Sequence, residues 1–154
     1  MSGLVFWIPA LPKRALSPNG GQRSRRNPWE VAAAKLELGE AAWHALREAH
    51  GPTVPALTPP IRVAVALYAK HGTKNKDGRY RPEDCGNVGG DILKPILDYA
   101  VVRLGVVPDD DYRNIESVTL MVRHVDSNAD EGIMVQMVGA EEDSPETSVT
   151  IVDG

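Results

Sequence analysis

The chain predicts an α+β domain, with one mixed β-sheet and helices packed on one face of it. Two observations lead there. Strand-like apolar runs and two helical patterns follow one another in the order β–α–β–α–β–β, bounded by clusters of proline and glycine. The last two strand-like runs are separated only by a turn, which suggests an antiparallel final pair.

Leu4 to Ile8 reads as the first strand, ended by Pro9, Pro12 and Pro18. Ser17 to Arg26 is a glycine-rich basic loop. A helix starts at Asn27-Pro28-Trp29-Glu30, where Asn27 can cap, Pro28 suits the first helical position and Glu30 falls at the capping-box position. It should run to about His50 and stop at Gly51-Pro52. A proline-rich connector, Val54 to Pro60, leads to a Val-rich strand over Arg62 to Lys70. Lys76-Asp77-Gly78 has the composition of a hairpin turn. A second helix is expected over Asp91 to Leu104, and strands over Glu116 to Val125 and Gly132 to Val138, separated by the turn-like Asp126 to Asp130. Residues 1–139 form the expected domain. Residues 140–154 are acidic and polar and read as a mobile tail, in which Thr147 to Val152 can add an edge strand.

A chain of 154 residues suits one domain with a real core. No apolar run is long enough to cross a membrane. In the N-terminal MSGLVFWIPALPKR the basic residues follow the apolar stretch, the wrong order for a signal peptide. The single Cys85 excludes an internal disulfide and fits a reducing compartment, so a cytoplasmic protein is expected. The halves differ in charge. Residues 1–80 hold 12 Lys and Arg against 5 Asp and Glu; residues 81–154 hold 5 against 16. Such asymmetry suits a basic binding surface beside an acidic catalytic region, and equally an acidic tail. Trp7, Trp29 and Trp43 are expected in the core or at a dimer interface. The four histidines lack metal-ligand spacing.

The chemistry concentrates between Arg81 and Asp111. Glu83, Asp84, Asp91, Asp98 and the run Asp109-Asp110-Asp111 surround one apolar helix that also carries Lys94. At 100° per residue, Ile92, Leu93, Ile96, Leu97, Ala100, Val101 and Leu104 share one arc, while Asp91, Lys94 and Asp98 share the opposite one. Pro95 should lie near the first turn. Carboxylates gathered from separated loops suit a hard divalent cation such as Mg²⁺, which takes oxygen ligands and keeps several waters. For the helix alone, an amphipathic helix with solvated charges explains the same pattern. The three adjacent aspartates favour a cation, because like charges so close repel one another unless solvated or bound.

In order along the chain stand FWIPALP, LSPNGG, RVAVALYAK, RPEDCGN, LKPILDY and GVVPDDD. This series resembles the RusA-type Holliday junction resolvases. Each motif is weak alone; the ordered set is fairly specific. The resemblance implies a RusA-like fold and a homodimeric endodeoxyribonuclease that uses Mg²⁺, with Mn²⁺ as a substitute, to resolve four-way junctions and other branched DNA in recombination and repair, typically phage or prophage encoded. Carried over by position, Asp84, Asn87, Lys94, Asp98, Asp109 and Asp110 match family positions. The resemblance implies Asp84, Asp109 and Asp110 as metal ligands and Lys94 as the catalytic lysine. Where the family has a second aspartate this chain has Gly86, and the missing carboxylate would come from Asp91 or from Glu83. DNA phosphates would be held by Arg23, Arg25 and Arg26, with Lys13 and Arg14. The alternatives are a non-cleaving protein of the same fold that grips branched DNA, and a small acidic adaptor unrelated to DNA.

Overall fold

A computed structural model describes residues 3–16, 28–70, 78–82, 90–109, 111 and 113–140. Strands β1 (Gly3–Ile8), β2 (Ile61–Lys70), β3 (Ile115–Val125) and β4 (Gly132–Val138) form one four-stranded sheet in the order β1-β4-β2-β3. β2 and β3 are parallel; β4 lies antiparallel between β1 and β2. Helix α1 (Pro28–His50) links β1 to β2, and α2 (Gly90–Ile96) lies on the crossover from β2 to β3.

The strands form where the apolar, β-branched runs place them, within a residue of the sequence expectation. Leu4, Phe6 and Ile8 stand in register with Met137, Val135 and Ile133, and these with Val63, Val65 and Leu67. All of them are buried in one core with Ala34, Leu38, Ala42 and Leu46 of α1 and Ile92 and Ile96 of α2. The helices therefore cover one face of the sheet, as expected. The alternate positions Val5, Trp7, Ala64, Ala66, Tyr68, Met121 and Met134 lie on the other face.

The expected antiparallel β3–β4 hairpin does not form. β4 is apolar along nearly its whole length and mostly buried, which suits an interior strand, whereas β3 carries Glu116, Arg123 and His124 and is largely half-exposed, which suits an edge. The segment between them, with a short 3₁₀ turn at Asn128–Asp130 capped by Ser127 Oγ, packs against β2 on the way to its far side. Lys76 and Asp77 of the expected hairpin turn lie outside the described residues; Gly78 has a left-handed φ of 74°, and the residue after it makes an isolated bridge, Arg79 to Lys13.

Both helices end on glycines in the left-handed region. Gly51, at φ 80°, donates to the Arg47 carbonyl at 2.7 Å. Gly105, also at φ 80°, donates to Val102 at 3.0 Å, and Val106 donates to Val101 at 2.9 Å, the paired bonds of a Schellman end. The second helix is less regular than expected. Pro95 removes one donor, and beyond Ile96 the helix widens to π winding over Leu97–Val102. Its apolar arc survives, with Ile92, Ile96, Ala100 and Val101 buried. Helix α1 meets the π stretch at Gly39, where a Cβ would come 2.4 Å from the Tyr99 ring. Replacing a mid-helix glycine by alanine ordinarily stabilises by about 1 kcal/mol. Here Gly39→Ala is expected to lower the melting temperature instead, which thermal unfolding followed by circular dichroism would read.

None of the three tryptophans is in the core. Trp29 is 83% exposed and Trp7 36%, and Trp43 is half-buried on α1 with the Arg47 guanidinium 4.8 Å above its ring. Among the described residues no helix is long and apolar enough to cross a membrane. The expected tail strand at Thr147–Val152 lies outside the described residues.

Candidate functional site

The β2–α2–β3 crossover carries every residue singled out between Arg81 and Asp111. Lys94 and Asp98 stand one turn apart, with Lys94 Nζ 3.6 Å from Asp98 Oδ1 and both side chains well exposed. Of the polar face expected for this helix, the Lys94 and Asp98 part is therefore present. An exposed pair four residues apart is worth only about 0.3–0.5 kcal/mol.

Of the aspartate run, Asp109 is exposed and Asp111 is structural. Asp111 Oδ1 accepts from the Arg113 N–H and from Asn114 Nδ2, each at 3.0 Å, and Oδ2 from Arg113 Nη2 at 2.8 Å. Its main-chain oxygen accepts from Asn114 and Ile115, closing the turn into β3. The Arg113 guanidinium holds the Asp111 carboxyl below the usual range. Its support of the turn is thus present above the ordinary aspartate pKa and lost only as pH falls through the lowered value.

Asp84, Asp110, Glu83, Asn87, Arg23, Arg25 and Arg26 lie outside the described residues, as does the side chain of Asp91. Among the described residues no three metal-ligating side chains converge. The flanks of the crossover are placed. The Asp111 turn abuts the start of β2, where the Ile61 N–H donates to Asn114 O at 2.7 Å. Arg81 is tied to its other end through Glu131, and the ten-residue strand between spans roughly 33 Å.

That tie was not legible in the sequence. Arg81 Nε and Nη2 donate to the two Glu131 oxygens, each at 2.7 Å, and the Lys70 N–H donates to Glu131 Oε2 at 2.8 Å. Both side chains are 7% exposed. The fork-to-carboxylate pair fixes the chain three residues before Asp84. Its partners are 50 residues apart, and no spacing signals them.

Lys13 and Arg79 both pair with Glu37 of α1, the first at 3.0 Å. Burial pushes the Glu37 carboxyl up, but Arg79 and Lys13 together hold it below its ordinary value. Lys13 remains half exposed beside the exposed Arg14. Two of the expected phosphate contacts therefore lie where the chain leaves β1. No protein-family model matches the chain, and no curated protein is significantly similar to it.

Proposed function

We propose that the protein is a homodimeric, Mg²⁺-dependent endodeoxyribonuclease of RusA-like fold that cuts four-way junctions and other branched DNA. The observation that carries this reading is the exposed Lys94–Asp98 pair, which bridges α2 and the π stretch after it, on the same crossover as the aspartate run and the Arg81 segment. Asp84, Asp91 and Asp110 would hold the metal with Asp109 beside them, a donor set of carboxylates that suits a hard cation. The metal would activate water and stabilise the leaving oxygen. Lys94 would oppose the charge that grows on the scissile phosphate. The buried Arg81–Glu131 pair would anchor the segment that delivers Asp84.

Gly86, where the resembled family has a carboxylate, favours a second reading: a protein of the same fold that grips junctions without cutting. Both readings require binding to branched DNA. Replacing Arg23, Arg25 and Arg26 together by alanine is expected to weaken binding to all DNA and reduce the slope of log affinity against log salt by about three. Fluorescence anisotropy with a labelled four-way junction and a duplex of equal length reads both quantities. No preference for the junction over the duplex would remove both readings in favour of a protein unrelated to branched DNA.

A further inference from the structure

We propose that the helix-free face of the sheet carries a binding site for a small primary alkylammonium ion, in an open cleft of about 600 Å³ toward the C-terminal ends of β2 and β3. The site uses no residue assigned to the nuclease reading, and its test needs neither DNA nor a metal.

The strand register builds the apolar wall. Trp7, Tyr68 and Met134 share one face because they hold its alternate positions on β1, β2 and β4. Trp7 stands opposite Met134, and Tyr68 opposite Gly132. Gly132 leaves the room that the indole occupies, since a Cβ there would come 2.3 Å from it. The indole therefore lies across β4 and packs edge-on to Tyr68, with centroids 5.5 Å apart and planes at 65°. Two inclined rings and a thioether form a corner in which Trp7 stays 36% exposed.

The polar wall comes from the segment between β3 and β4. Asp126 follows β3 directly, and Asp130 closes the 3₁₀ turn. Ser127 holds that turn: its Oγ accepts from the Ala129 N–H at 3.1 Å and its carbonyl from the Asp130 N–H at 3.0 Å. The next residue is Glu131, tied to Arg81 and Lys70, so the backbone at Asp130 is fixed from both sides. Both aspartates are exposed, and among the described residues neither carboxylate has an ion pair or a side-chain hydrogen bond. Two cations stand near but do not line the cleft: Lys70, and Arg123, whose Nη2 turns back to Met121 Sδ at 3.6 Å. Tyr68 Oη is buried and has no hydrogen bond among the described residues. A buried hydroxyl in that state is costly, and a donor on a ligand would relieve it.

These features select both charge and shape. Aromatic faces attract cations, and the two carboxylates supply the countercharge. An ammonium has three N–H donors, enough for both carboxylates and the Tyr68 hydroxyl, while its alkyl chain packs on Trp7 and Met134. A phosphate or a nucleic-acid backbone would be repelled by the same carboxylates. The cleft falls within the roughly 300–1,000 Å³ of small-molecule sites.

The full chain is titrated with n-butylammonium, and the indole N–H signals are followed by nitrogen–proton correlation spectroscopy, with the Trp7 signal assigned from Trp7→Phe. A saturable shift of the Trp7 signal is expected, and none with n-butanol, the uncharged analogue. Asp126→Asn with Asp130→Asn should weaken binding roughly fivefold or more and leave the circular dichroism spectrum unchanged. Tyr68→Phe should raise the melting temperature of the free protein. It should weaken butylammonium binding but not that of butyltrimethylammonium, which has no N–H to donate. Absence of a Trp7 shift overturns the proposal, as does equal binding of n-butanol or binding unaffected by the two aspartate changes. A lysine-bearing peptide that shifts Trp7 where the free amine does not would make a protein segment the occupant, and overturns it too.

Discussion

Asp110→Asn is expected to abolish junction cleavage while leaving junction binding intact or tighter. The change removes a ligand charge but almost no volume. The loss should exceed the roughly 10–100-fold that removing an outer-shell partner of a metal ligand costs. Binding should persist because less negative charge then faces the phosphates. Asp84→Asn and Asp91→Asn should lose activity to the same degree, since with Gly86 in the chain each carries a share of the charge that the cation needs. Full cleavage by Asp110→Asn removes that residue from the site. An active Asp91→Asn would transfer its place to Glu83.

The largest expected effect on stability is that of Glu131→Ala. The Arg81 guanidinium is 7% exposed and both of its bonds to Glu131 are 2.7 Å long. Removing the carboxylate takes the two-bond partner from a buried guanidinium and the acceptor from the Lys70 N–H together, at a cost of about 3–5 kcal/mol. By contrast, Glu37→Ala touches a partly exposed cluster and should cost no more than about 1 kcal/mol. Urea unfolding compares the two. Equal midpoints would show that the Arg81–Glu131 pair does not anchor the end of β2.

Much of the fold could be read from the chain because its signals are local. Apolar, β-branched runs mark β1, β2 and β4, and Pro28 and Gly51 bracket α1. The strand order was not local information. A turn-like segment between β3 and β4 suggested a hairpin, yet that segment also carries the chain past β2 to its far side. The fuller signal was the apolar run of β4, broken only by Gln136, which marks a strand enclosed between neighbours. The widening of the second helix after Pro95 was hidden because its apolar arc persists through the π turn. In the candidate site, the shared face of Lys94 and Asp98 followed directly from helical spacing. The role of Asp111 did not. An aspartate in an acidic run resembles a ligand until Arg113 and Asn114 are seen to occupy its oxygens. Arg81 and Glu131 meet only through the tertiary fold.

The most direct test is incubation of the full chain with a synthetic four-way junction, in Mg²⁺ and in excess chelator, with products resolved on a denaturing gel. The expected result is paired nicks in symmetry-related strands with Mg²⁺, none with chelator, and none with Asp110→Asn in either. A junction that stays intact in Mg²⁺ and Mn²⁺, although the protein binds it, would contradict the nuclease assignment and leave a junction-binding protein of the same fold.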